Sequence, residues 1–224
     1  MKTIKLLISY LFIIVLFTAG CKTMNKTQKG AIIGTAGGAA AGAVIGKIAG
    51  NTALGAIIGA AVGGVTGAII GRKMDKQAEE IKNALPGAQV ERVGEGIVIE
   101  FNNKILFGFD QFSLTPEART SLGKLKDILL KYPDTNIEVQ GHTDDKGTVK
   151  YNQALSERRA NTVVGNLSEN NIPASRLTLK GYGETSPKYS NKSDEGNAQN
   201  RRVDFLVTAN EKMKEDAAHG VNPN

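Results

Sequence analysis

Apolar positions recur along the chain with two different spacings, and the alternation between them predicts its elements. Met74, Ala78, Ile81 and Leu85 stand three or four residues apart among Lys, Gln and Glu, which predicts an amphipathic connecting helix within 72–88 that Pro86-Gly87 ends. Val90 and Val93 lead through Gly94–Gly96 into Ile97-Val98-Ile99-Glu100-Phe101, a hairpin pattern, and Ile105-Leu106-Phe107 reads as a further short strand. Thr115-Pro116 opens a helix, with Thr at the N-cap and Pro at the first position. Ala118, Leu122, Leu125 and Leu129 form its buried face, and it stops before Pro133. A strand over 136–141 is followed by a polar turn and a long helix to about Glu169, broken by Asn170-Asn171-Ile172-Pro173. Leu177-Thr178-Leu179 is the next strand, 186–199 a polar loop, and Val203–Val207 the last strand. The polar tail 211–224 is expected to be disordered. This order predicts an α/β sandwich over 89–210, with helices on one face of a mixed sheet.

The N-terminal third follows other patterns. Residues 1–20 combine Lys2 and Lys5, an apolar run from Leu6 to Phe17 and Thr18-Ala19-Gly20, which reads as an export signal. Small residues before the lone Cys21 resemble a bacterial lipobox, in which the cysteine is acylated and becomes the new N-terminus. Thr18 departs from the leucine commonest three residues before it. Lys22 stands where an acidic residue would signal inner-membrane retention, so that analogy favours the outer membrane. Residues 21–29 form a short basic tether. Between 30 and 71, glycine recurs every fourth residue from Gly30 to Gly50, and again from Gly55 to Gly71. Such spacing gives each helix a smooth ridge that another backbone can approach closely. Two such runs joined at Asn51-Thr52 predict a glycine-zipper helical hairpin, packed on itself in the periplasm or inserted in lipid.

Charge sharpens the picture. The formal net charge of +6 suggests nucleic acid until it is divided. Residues 1–74 carry eight Lys/Arg and no acid, whereas 75–224 carry 20 Lys/Arg against 22 Asp/Glu, a net of −2. The excess therefore suits a membrane surface, and a nucleic-acid partner is not expected. One cysteine permits no intrachain disulfide, and neither metal-ligand spacing nor a cofactor motif is present.

The chemistry concentrates in Gly141–Ala160, GHTDDKGTVKYNQALSERRA. Asn152, Ser156, Arg159, Val163 and Leu167 share one helix face, which is apolar at its far end and polar beside the Asp144 turn. A core-facing guanidinium needs an anion, from the protein or from a ligand. An Asp144–Arg159 salt bridge would be purely structural. An open pair would instead suit a zwitterion, with the carboxylate taking an ammonium and the guanidinium taking a carboxylate in bidentate fashion.

GHTD, Asn152, LSERRA, GYGE at Gly181–Glu184 and NRRV at Asn200–Val203 closely resemble the OmpA C-terminal-like peptidoglycan-binding family, which includes the peptidoglycan-associated lipoproteins. The resemblance covers about residues 97–209. It implies that Asp144 and Arg159 bind the free end of diaminopimelate in the wall's stem peptide. Matching positions place Asn152, Arg201 and, from the looser FGFD match, Asp110 around that ligand. The expected protein is a lipid-anchored outer-membrane protein facing the periplasm, partnered by peptidoglycan, and not an enzyme. The alternative is a membrane-inserting oligomer built by the zipper and immobilised on the wall; a monomeric detergent-extracted size both with and without residues 30–71 would remove it. His142 is expected to position or pack, Glu184 and Arg202 to fix loops and strand ends, Asp145 to be solvated, and Tyr151 and Tyr182 to pack at the sheet edge.

Overall fold

The computed structural model describes residues 65–108 and 110–220. The export signal 1–20, Cys21, the tether and the zipper residues 30–64 lie outside the described residues. Helix α1 (Val65–Ala84) runs through the end of the second glycine run and on without a break at Gly71. It buries Ile69, Ile70, Met74, Ala78 and Ile81 in the main core, with Leu85 just beyond its end. Each large apolar side chain buried this way stabilises the docking by about 2 kcal/mol. Ion pairs fix the rim: Asp75 with Arg92, and Glu80 with Lys131, while Tyr132 donates to Glu80 at 2.9 Å.

Strands β1 (Gln89–Val93), β2 (Gly96–Asn102), β3 (Thr135–His142), β4 (Leu177–Gly183) and β5 (Arg202–Ala209) form one mixed sheet in the order β1-β2-β5-β3-β4. All neighbours are antiparallel except β3 and β4, whose parallel pairing spans the connection through helix α4 (Val149–Glu169). The pleat sends Ile97, Ile99, Phe101, Ile137, Val139, Val203, Phe205 and Val207 into the core beneath α1, α4 and helix α3 (Pro116–Lys131). On α3, Thr115 caps the first turn by accepting from Ala118 N at 3.0 Å, and the expected stripe Ala118, Leu122, Leu125, Leu129 is buried. The expected arrangement of helices on one face of a mixed sheet is therefore present.

Three local expectations are corrected. Ile105-Leu106-Phe107 is not a strand: Asn103–Leu106 forms a short helix, α2, and Phe107 makes only an isolated bridge to Leu114. Asn102 explains the difference, since its side chain accepts from Lys104 N at 3.0 Å and turns the backbone, sending Leu106 into the core. The polar segment 186–199 contains helix α5 (Asp194–Asn200), capped by Ser193. The segment 211–218, expected to be disordered, is helix α6 (Glu211–Ala218), capped by Asn210, with Met213 and Ala217 buried in the same core as α1. Capping plus two apolar side chains four residues apart outweigh the polar composition there.

Candidate functional site

The site lies where β3 and β4 end. Thr143 N donates to Gly183 O at 2.9 Å, tying the two strand ends together, and the chain then turns through Asp144–Thr148. Thr148 caps α4 by accepting from Tyr151 N at 3.2 Å. That cap sets where α4 starts; Asn152, Ser156 and Arg159 point inward at its start and Val163 and Leu167 continue the same buried stripe. Ser156 Oγ donates to Gln153 O and accepts from Gly183 N at 2.9 Å, which secures the helix to β4.

Asp144 and Arg159 are both buried, 6% and 2% exposed. They do not form the structural salt bridge that spacing allowed. Asp144 Oδ2 is paired with Arg201 Nη1, and Oδ1 accepts from Lys146 N at 3.3 Å. Arg159 Nε donates to the backbone oxygen of Gln111 at 3.0 Å, and its guanidinium lies over the Phe107 ring, 5.5 Å from the centroid. Among the described residues its two terminal nitrogens have no hydrogen-bond partner. Burial lowers the pKa of Arg159, while Asp110, Tyr151 and Asp144 favour its charged form. The site thus holds a buried carboxylate and a buried guanidinium side by side, with the guanidinium fork open.

The remaining expected residues gather around this pair. Asn152 Nδ2 donates to Asp144 O at 3.3 Å and to the Glu184 carboxylate. Asp110 adopts a left-handed backbone, φ 53°, and accepts from the Tyr151 hydroxyl at 2.6 Å. Tyr151 therefore belongs to the site's rim rather than to a sheet edge. Nothing in the sequence marked Phe107 or the Gln111 carbonyl as neighbours of Arg159, whereas Glu184, expected to fix a loop, accepts from Asn152. Phe107 and Gln111 both come from the segment 107–111, some fifty residues before Arg159, and no spacing rule marks them.

His142 is the last residue of β3 and is stacked on Tyr182 with centroids 5.2 Å apart. Its Nε2 is 3.4 Å from Asp204 Oδ2 without hydrogen-bond geometry, and Arg202 Nε holds the same oxygen at 3.1 Å. Burial, and then the Arg202 charge, push the His142 pKa well below its ordinary 6.5. Burial pushes the fully enclosed Asp204 up to about 6. Below pH 6.5 the unfolded chain takes up a proton at His142 that the folded chain refuses, so this group removes stability as pH falls. Asp204 acts with the opposite sign between about pH 4 and 6. In a His142→Gln variant the histidine contribution is gone. Urea unfolding should show the variant gaining on the parent by about 1.4 kcal/mol per pH unit below 6.5. A pH-independent difference would mean that His142 protonates freely in the folded protein.

Comparison with known proteins follows the same outline. The OmpA family model matches residues 106–201, and the YMGG-like Gly-zipper model matches residues 1–75. The outer-membrane lipoprotein YfiB of Pseudomonas aeruginosa is 37% identical over 115 residues, covering 51% of this chain and 68% of that protein. Outer membrane porin F of Pseudomonas fluorescens is 40% identical over 112 residues, half of this chain but only 34% of the porin, so the match spans about a third of that relative's length. The structure titled the cell wall anchor of the T6SS from Pseudomonas aeruginosa superimposes with a TM-score of 0.54 at 29% identity, covering 61% of this chain and 96% of that one.

Proposed function

The chain belongs to the OmpA family, and from that premise we propose that it is an outer-membrane lipoprotein that ties the membrane non-covalently to peptidoglycan. The observation that carries this reading is the open Arg159 fork beside an Asp144 that Arg201 already holds in place. A buried guanidinium with two unused nitrogens is costly unless something anionic fills it. A diaminopimelate side chain presents both complements at once: its carboxylate enters the Arg159 fork, and its ammonium meets Asp144. Asn152 orients the Asp144 turn through its carbonyl. Asp110 and Arg201 border the ligand and keep the local charge balanced. Each contact is a binding interaction. Asp144 is matched with an arginine instead of the second carboxylate that hydrolytic chemistry would use, so this is a receptor rather than an enzyme.

Two of the relatives support the same direction: one is named as an outer-membrane lipoprotein, another as a cell wall anchor. On this reading residues 1–20 are the export signal. Acylated Cys21 holds the chain in the membrane, each buried methylene contributing about 0.8 kcal/mol. The glycine-rich stretch 30–64 links that anchor to the periplasmic domain, which takes up the chain at α1 from Val65.

The reading fixes a specificity. A stem peptide carrying lysine in place of diaminopimelate keeps the ammonium and lacks the terminal carboxylate, so Arg159 stays unfilled. In sedimentation of the full chain with insoluble walls, diaminopimelate-type walls should retain it and lysine-type walls should not. Equal retention by both would sink the assignment of Arg159 to that carboxylate.

A further inference from the structure

We propose that Arg158, stacked on Phe112 at the mouth of the site, takes a second carboxylate of the wall peptide: the α-carboxylate of its γ-linked D-glutamate. This rests on the reading above, in which the neighbouring diaminopimelate occupies Asp144 and Arg159.

Arg158 is exposed, and among the described residues its side chain makes no hydrogen bond or ion pair. It is nevertheless held. Its guanidinium carbon lies 5.3 Å from the centroid of the Phe112 ring, and that ring is 44% exposed. A cation–π contact restrains an arginine without neutralising it, so Arg158 presents a full positive charge in a restricted position. An ordinary surface arginine loses much of an ion pair's benefit to side-chain ordering, and stacking reduces that loss.

The placement ties this cation to the site. Successive residues of a helix point about 100° apart, so Arg159 faces the floor while Arg158 faces the rim of the same turn. Phe112 follows Gln111, whose carbonyl holds Arg159. Tyr151 joins the two: its hydroxyl bonds Asp110, and both Arg158 and Arg159 act electrostatically on it. The floor and rim guanidinia therefore belong to one continuous surface.

The ligand supplies the matching charge. In a stem peptide, D-glutamate is linked onward through its γ-carboxyl group, which leaves its α-carboxylate free one residue before diaminopimelate. The γ-linkage sets that carboxylate two methylenes and a peptide bond back from the diaminopimelate backbone, so the two ligand carboxylates are well separated, as are two guanidinia on successive helix positions about 100° apart. Where that carboxylate is amidated to isoglutamine, the charge disappears while the backbone is unchanged.

The amidation provides the test. The full chain is titrated with L-alanyl-γ-D-glutamyl-diaminopimelate and with the same peptide amidated at the D-glutamate α-carboxyl. The parent should prefer the acid by about fivefold, the range of a restrained but partly exposed ion pair. Arg158→Gln should abolish that preference by weakening the acid alone, and Phe112→Leu should reduce it by releasing the guanidinium. Equal affinity of the parent for the two peptides would overturn the proposal and leave the diaminopimelate reading standing. So would an Arg158→Gln loss of the same size on both peptides. Binding of neither peptide by the parent would instead overturn the wall-binding reading, and this inference with it.

Discussion

Replacing Arg159 by alanine lowers affinity for a diaminopimelate stem peptide by about thirtyfold or more, while the protein stays folded. The size follows from the side chain's position. At 2% exposure the side chain has given up most of its water, and within the protein it gets back only one hydrogen bond, to Gln111 O, and contact with the Phe107 ring. Its terminal nitrogens are therefore available for a carboxylate in a site from which solvent is largely excluded. Truncating one partner of such a charged pair costs about 2–5 kcal/mol of binding. The cost to folding is smaller, because no protein anion is left behind unpaired: Asp144 keeps Arg201, and Asp110 keeps the Tyr151 hydroxyl. Arg159→Lys separates charge from geometry. It retains the cation but cannot offer two parallel N–H groups, so it should recover only part of the lost affinity. Titration calorimetry with the stem peptide, run beside thermal unfolding of each variant, reads both effects. Variants that stay folded and bind like the parent would make Arg159 a structural residue.

The same residues show where the sequence was legible. The stripe Asn152, Ser156, Arg159, Val163, Leu167 and the stripe Ala118, Leu122, Leu125, Leu129 were readable because each lies within one helix, where spacing alone fixes the face. Gathering Asp144, Asn152, Arg201 and Asp110 needed the family resemblance, since those positions come from four separate parts of the chain. The partner of each charge was not readable at all. Asp144 chooses Arg201 over Arg159 because α5 and the start of β5 bring Arg201 to the turn, a contact between residues 57 positions apart. The strand expected at Ile105–Phe107 failed for a local reason. Three apolar residues in a row do not distinguish a strand from one helical turn, and the Asn102 cap decided it. The 211–218 segment failed for a tertiary one, because the surface that α6 packs against includes α1, more than a hundred residues earlier.

A single methyl group at Gly141 tests the packing that holds the site together. Gly141 and Gly181 are paired across β3 and β4, and both face α4 at Ser156 and Glu157. A Cβ at Gly141 would lie 2.1 Å from Ser156 O and 2.8 Å from Ser156 C, both backbone atoms that no rotamer change can move. One at Gly181 would lie 2.8 Å from Glu157 N. The glycine of the GHTD motif is therefore there for space, not for backbone conformation: its φ is not positive, whereas that of Gly183 is 52°. Gly141→Ala must push α4 off the sheet by an ångström or more, opening the core beneath Ala160 and Val163. The expected cost is about 3 kcal/mol or more, in the upper range for overpacking a close-packed interior. Because α4 carries Asn152, Arg158 and Arg159, whatever protein remains folded should also bind the stem peptide more weakly. Gly123, on α3 with nothing within 4 Å of the added carbon, is the control. There the same substitution should stabilise the helix by up to about 1 kcal/mol. Urea unfolding of the two variants beside the parent gives opposite signs if α4 rests on the sheet at Gly141. A Gly141→Ala variant within about 0.5 kcal/mol of the parent would mean that the helix has room to spare, and that its rotation, with Arg159 at the site, is set elsewhere.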